Sequence, residues 1–296
     1  MTPEIGVWLS DLESAGYIAE PATATALFLA RATQKPLLVE GDAGVGKTEL
    51  AKVLARLLGT ELIRLQCYEG LDVQTALYEW DYPRQMLRVR IGDGRGEDAQ
   101  ALEARLFSRE YLLERPLLRA ITHAGAPAVL LIDEIDRADD GFEAFLLEVL
   151  SDFQVTIPEL GTIRAEHPPY VVLTSNGTRE LGDALRRRCL YLYLDHPSLE
   201  REVRIIRARC PGAGGALPDQ IARFLQALRA RTLVKPPGVA ETLDFTRALL
   251  SLSQQALEPD VVGVTLGCLL KDRHDLESMS PDEVAAMVAS AREVRS

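Results

Sequence analysis

Leu37-Leu-Val-Glu-Gly-Asp-Ala-Gly-Val-Gly-Lys-Thr-Glu-Leu50 decides how the rest of the chain is read. An apolar run, three spaced glycines and a Lys-Thr pair follow one another in the order strand, loop, helix, and Gly41 to Thr48 fits G-x-x-x-x-G-K-[ST] at every fixed position. Glycines at 41, 44 and 46 let the backbone curl so that its N–H groups converge, which is what a di- or triphosphate requires. The helix that begins near Lys47 adds its positive end. Lys47 supplies a point charge for the outer phosphates, and the Thr48 hydroxyl is placed as a Mg²⁺ ligand. The candidate nucleotide-binding residues are therefore Gly41, Asp42, Ala43, Gly44, Val45, Gly46, Lys47, Thr48 and Glu49, with ATP and Mg²⁺ as the expected ligands. A plain glycine turn would leave the Lys-Thr pair without a purpose.

Pro127-Ala-Val-Leu-Leu-Ile-Asp-Glu-Ile-Asp136 is the second informative stretch. Its near-continuous apolar run is that of a central parallel strand covered on both faces. The acids at its end are expected to emerge beside the phosphate loop of a neighbouring strand, where ligands sit in open α/β sheets. Asp133 would hold Mg²⁺ through its water shell, and Glu134 would orient and polarise the water that attacks the γ-phosphate. Tyr170-Val-Val-Leu-Thr-Ser-Asn176 reads as another buried strand, with Asn176 placed to hydrogen-bond that water or the γ-phosphate.

The 296 residues include 44 acidic and 33 basic side chains, for a net charge of −11, which argues against a general nucleic-acid binder. Four cysteines, with no C-x-x-C pair, suggest neither a disulfide framework nor a zinc site and fit a reducing cytoplasm. The N-terminus does not read as a signal peptide, and no apolar run reaches membrane-spanning length, so no direct membrane insertion is expected.

Along the chain, Pro3–Gly16 and Ala22–Thr33 read as helices, with Tyr17 and Ile18 between them either packing in the core or lying against an adenine ring. Thr48–Leu58 is an amphipathic helix ended by Gly59, and Glu61–Gln66 alternates like a strand. Tyr68–Ile91, with its alternating Met86-Leu-Arg-Val-Arg-Ile91, is expected to be a helix interrupted by a hairpin. Gly92–Ala99 reads as a solvated loop, Arg109–His123 as a helix with Pro116 inside it or at a break, Gly141–Phe153 as a helix, and Gln154–Pro169 as a hairpin. Arg186, Arg187 and Arg188 precede the last strand, Leu190–Leu194. They read as a solvated face, a nucleic-acid patch, or guanidinium groups aimed at a phosphate across a subunit boundary. Past Pro197 the pattern is helical throughout. The expected fold class is α/β: a parallel-sheet nucleotide-binding domain over residues 1–197 and an all-α domain over 198–296.

Together, G-D-A-G-V-G-K-T, V-L-L-I-D-E-I-D, V-V-L-T-S-N and A-L-R-R-R-C resemble the AAA+ ATPases across essentially the whole chain, and within them the MoxR branch. Lys235-Pro-Pro-Gly-Val-Ala-Glu-Thr-Leu-Asp-Phe-Thr-Arg-Ala-Leu-Leu250 resembles the group associated with maturation of aerobic carbon monoxide dehydrogenase, a molybdenum hydroxylase. The resemblance implies a P-loop module with a helical lid, a homo-oligomeric, hexameric ring, and hairpin insertions near 68–91 and 154–169. It assigns Lys47 and Thr48 to the first Walker motif, Asp133 and Glu134 to the second, Asn176 to sensor 1, Arg188 to the arginine finger and Arg247 to sensor 2. The last carry-over departs from pattern, since T-L-D-F-T-R stands where other MoxR proteins have G-P-S-P-R. The implied function is an ATP-driven chaperone that matures a metalloenzyme client with a von Willebrand factor A domain partner. Alternatives are a nucleic-acid motor or loader, an activase of a CO2-fixing or nitric-oxide-reducing complex, and a scaffold that binds ATP but barely hydrolyses it.

Overall fold

Nine strands carry the architecture of the computed structural model, which describes residues 2–93 and 98–293. They are β1 (Leu37–Glu40), β2 (Leu62–Gln66), β3 (Tyr78–Trp80), β4 (Leu112–Glu114), β5 (Val129–Asp133), β6 (Gln154–Ile157), β7 (Gly161–Arg164), β8 (Tyr170–Ser175) and β9 (Leu190–Tyr193). Five form one sheet in the order β2-β5-β8-β1-β9. The pairs β2–β5, β5–β8 and β8–β1 are parallel, and β9 joins beside β1, with the Leu190 N–H donating to the Pro36 carbonyl at 2.8 Å. Every residue of β5 is buried, as its unbroken apolar run requires. Residues 94–97 of the loop expected over Gly92–Ala99, and residues 294–296 of the helical pattern past Pro197, lie outside the described residues. Among the described residues no helix is long and apolar enough to cross a membrane.

The chain divides into two compact units. The first comprises Pro21–Glu40 and Thr48–Leu192 and contains the sheet. Its core gathers β5 and β8 residues with Leu117, Leu118, Phe142 and Leu146 from the flanking helices Pro116–Thr122 and Asp140–Asp152. Three local expectations are corrected here. Met86–Ile91 is helical, within Tyr82–Asp93, because the Asp81 carboxylate caps the helix by accepting from the Arg84 N–H at 3.1 Å, and Pro83 sits in its first turn. The region near 68–91 is therefore no hairpin. Its strand β3 pairs antiparallel with β4, more than thirty residues on, and Trp80 meets Phe107 edge to face at 5.4 Å. Arg109–His123 is accordingly no single helix: Leu112–Glu114 is strand, and Pro116 opens a new helix instead of interrupting one. In the segment 154–169, β6 and β7 form an antiparallel hairpin, with the Thr156 and Thr162 hydroxyls 3.1 Å apart across it.

The second unit comprises the N-terminal twenty residues, Gly41–Lys47 and everything from Tyr193 onward, so it begins before Pro197 and recruits segments that the sequence places in the sheet domain. Arginines on the helix Leu199–Arg209 explain the recruitment. The Arg201 Nε donates to the Ile18 carbonyl at 2.9 Å, and Arg204 pairs with Glu13 at 2.7 Å. Ile18 itself is buried among Val203, Ile206 and the other lid residues.

Within this unit the helices Leu199–Arg209, Leu217–Arg229 and Val239–Ser251 pack around Phe224 and Phe245, whose rings stack at 6.3 Å. One buried ion pair ties all three. Both Arg229 terminal nitrogens donate to the Glu202 carboxylate at 2.7 Å, and the Thr242 hydroxyl joins at 2.8 Å. Arg229 Nε reaches the Pro237 carbonyl at 2.8 Å. Glu202 is fully buried, so removing either partner strands a charge. Glu202→Ala is expected to lower unfolding stability by about 3–5 kcal/mol, whereas replacing the pair by Leu and Met should cost far less. Urea titration of both variants measures the contrast.

Candidate functional site

At the end of β5 the chain leaves the core on an acid that is almost wholly buried, Asp133 at 2% exposure. Its Oδ1 accepts the Thr174 hydroxyl at 2.5 Å and the Thr48 hydroxyl at 3.0 Å, and its Oδ2 accepts Arg64 Nη2 at 2.6 Å and Nε at 3.0 Å. The strand beside β5 is not β1, as the sequence suggests, but β8, which carries Thr174. The apolar run Tyr170–Leu173 makes β8 the more completely covered strand, so it takes the middle of the sheet. Thr48 reaches Asp133 from the first turn of the helix Lys47–Leu58. A hydroxyl and a carboxylate oxygen converging in this way fit a hard dication that takes its remaining ligands from water and phosphate. No group of three or more His, Cys, Asp or Glu among the described residues could form an all-protein cage.

Glu134 follows in the left-handed region, at φ 56° and ψ 51°. Such a conformation costs about 1–3 kcal/mol in a residue other than glycine and persists only when its surroundings impose it. Here Thr174 does so: its oxygen accepts the Glu134 N–H at 2.9 Å while its proton goes to Asp133. One threonine thus sets the direction of both acids. The Glu134 carboxylate is about a third exposed and lies 3.1 Å from Arg137 Nη1. Asp136, also buried, accepts the Asn176 N–H at 3.2 Å, the Thr178 N–H at 3.0 Å and the Thr178 hydroxyl at 2.7 Å. Asn176 is therefore held by its backbone beside the β5 exit. Cys67, on the other flank, has its thiol pushed up to about 12 by burial and then by the charges of Asp133, Asp136 and Glu134, so it stays neutral.

Sequence reasoning missed Thr174 and Arg64. The signal for the first was a polar residue closing the apolar run of β8, at the register position facing Asp133. Thr174→Val keeps the shape and the strand propensity but drops both hydrogen bonds. The expected result is a 10- to 100-fold loss in kcat for ATP hydrolysis with a smaller change in nucleotide affinity, measured by steady-state turnover beside equilibrium binding.

In the other unit, the loop Gly41–Lys47 has positive φ at Gly41, Gly44 and Gly46. Lys47 is buried, and its ammonium donates to the Gly41 and Asp42 carbonyls at 2.6 and 2.7 Å. The Gly44 carbonyl accepts the Val239 N–H at 2.9 Å, so the first turn of the lid helix Val239–Ser251 sits directly on the loop. A Cβ on Gly238 would lie 2.7 Å from the Gly44 Cα, which leaves no room for any other residue. Glu241 completes the turn by accepting the Gly238 N–H at 3.0 Å. His196 Nε2 lies 3.3 Å from Asp42, and burial, with Arg229 nearby, holds the imidazole below its ordinary pKa. Gly238→Ala should weaken ATP binding by about tenfold, or about 1.4 kcal/mol. Gly263→Ala is the control, since a Cβ there meets nothing within 4 Å. Calorimetric titration distinguishes the two.

The remaining candidates make local contacts of their own. Glu49 turns along its helix toward Arg56 at 3.0 Å. Arg186 lies over the Tyr191 ring at 5.6 Å, Arg187 lies 3.8 Å from an exposed Asp183, and Arg188 donates to the Leu147 carbonyl at 2.9 Å. Arg247 pairs with Asp244 at 3.0 Å on the exposed side of its helix, nine residues past Gly238, or about 13 Å along the axis from the turn that meets the loop.

The AAA domain family of the dynein-related subfamily matches residues 36–189, and the chain belongs to it. It is an ATPase. The chain is 25% identical over 273 residues to the gas vesicle ATPase GvpN1 of Halobacterium salinarum, covering 88% of this chain and 71% of that protein. It is 28% identical over 235 residues to GvpN of Haloferax mediterranei, covering 73% and 65%. Among solved structures, a mutant RuvB from Thermotoga maritima superposes with a TM-score of 0.50 at 19% identity, covering 93% of this chain and 75% of that one, and so shares the fold.

Proposed function

We propose that this ATPase is a ring-forming remodeller of the MoxR type that spends ATP on a protein client, and that the client is a metalloenzyme receiving its cofactor. The observation that carries the catalytic half is Glu134, turned by Thr174 out of the line of β5 immediately after the buried Asp133. In this reading the loop and Lys47 bind the phosphates, and Thr48 and Asp133 would hold Mg²⁺, which would supply charge neutralisation to the phosphates. Glu134 takes the proton of the attacking water, Asn176 orients that water, and Arg188, released from Leu147, reaches the γ-phosphate of a neighbouring subunit. Arg187, whose partner is exposed, is the next candidate for that role.

The resemblance of Lys235–Leu250 supports the client half, with a von Willebrand factor A domain protein as partner. A second reading, a gas vesicle ATPase, is favoured by the two proteins of that name among the relatives. The net charge of −11 speaks against a nucleic-acid client.

Two measurements test this. Glu134→Gln and Arg188→Ala should each be nearly inactive, down about 10³-fold, yet regain turnover when mixed, because some interfaces then unite an intact Glu134 with an intact Arg188. Subunit exchange is verified by fluorescence transfer between labelled chains, and exchange without regained turnover removes Arg188 from the role. Glu134→Gln held with ATP should also retain its client on affinity capture: metalloenzyme subunits support the first reading, and a gas vesicle protein replaces it with the second.

A further inference from the structure

Arg64 has no place in the roles assigned so far, yet it makes the shortest cationic contact to the acid on which they depend. It stands on β2, the edge strand beside β5, and its side chain is half exposed while that of Asp133 is 3% exposed. The guanidinium is aimed, not loosely placed. Nε and Nη2 both donate to Asp133 Oδ2, at 3.0 and 2.6 Å, and Nη2 is also bonded to the side-chain oxygen of Gln66, two residues along the same face of β2. The carboxylate is thereby divided, with the arginine fork on Oδ2 and the hydroxyls of Thr48 and Thr174 closest on Oδ1.

A buried carboxylate without a counter-charge is costly, and a guanidinium supplies one with directional hydrogen bonds. A dication taken up at the same carboxylate makes that guanidinium both redundant and repelled. Arg64, on an edge strand and half in solvent, can leave without opening the core. We propose that Arg64 is a built-in counter-ion that holds Asp133 in the metal-free state and competes with Mg²⁺ for it. The competition sets the divalent affinity of the site, so that Mg²⁺ wins when nucleotide phosphates supply the rest of its ligands. The proposal rests on the reading that Thr48 and Asp133 hold Mg²⁺.

The test uses Mn²⁺ as a paramagnetic probe with the full chain and a non-hydrolysable ATP analogue, and thermal melting in EDTA as a second readout. Arg64→Gln should bind Mn²⁺ about tenfold more tightly, a change of about 1.4 kcal/mol that suits a half-exposed charged pair. The same variant should melt at lower temperature in EDTA and recover more than wild type when Mn²⁺ and analogue are added. Arg64→Lys, which keeps the charge but not the fork, should fall between. On an Asp133→Asn background Arg64→Gln should change neither quantity, and Arg64→Lys carries the test if Arg64→Gln fails to fold. Unchanged or weaker Mn²⁺ binding by Arg64→Gln would overturn the competition while leaving the metal site standing. Failure of wild type itself to bind Mn²⁺ with the analogue would overturn the metal reading and the competition with it.

Discussion

A single carboxylate in a dry place organises one end of the sheet. The run Val129–Ile132 forces β5 into the core, and the next residue is an acid that cannot reach bulk water. A charge so placed must be met by donors or be neutralised. It is met by two threonines and one arginine, drawn from the helix after β1, from β8 and from β2. Three elements are thus fixed against a fourth by one group, and the same constraint turns Glu134 into the left-handed conformation through the shared Thr174. Strain at Glu134 and satisfaction at Asp133 are two consequences of one hydroxyl.

The lid solves a different problem by the same means. Helix Leu199–Arg209 carries Glu202 on its inner face, where a bidentate arginine and a threonine satisfy it from two other helices. Because Arg229 also holds the Pro237 carbonyl, the network fixes the turn that precedes Gly238. Gly238 in turn fixes Gly44 in the phosphate loop by close backbone approach. Stability of the lid and geometry of the loop are therefore coupled within one unit, through contacts that no ligand makes.

Much of this was legible in the sequence, and the misses have physical causes. Long apolar runs gave β1, β5 and β8, and the fixed glycines gave the loop, because burial and positive φ leave few alternatives. Met86–Ile91 misled because its two-residue alternation is also compatible with a helix, and the deciding signal was the cap at Asp81 upstream. Leu112–Glu114 could not be read as strand because its partner β3 lies far back in the chain. Arg64 escaped notice because an arginine on an amphipathic strand ordinarily faces solvent; only the position of Asp133 one strand over gives it a purpose. The lid's recruitment of the first twenty residues was invisible for the same reason, since it depends on arginines meeting backbone carbonyls almost two hundred residues away.

The departure from G-P-S-P-R in the lid acquires a meaning once Gly238 is located. With that glycine taken as the first residue of the pattern, the fifth position is Thr242. Thr242 is fully buried, and its hydroxyl is bonded to Glu202 at 2.8 Å. An arginine there would need to bury its charge beside Arg229, in a site whose one carboxylate already carries two guanidinium bonds. The network and a lid arginine at that position are thus mutually exclusive: this chain has the network. Its lid touches the phosphate loop with backbone N–H groups, a contact that depends on the absence of a Cβ and is indifferent to the charge of the side chains around it.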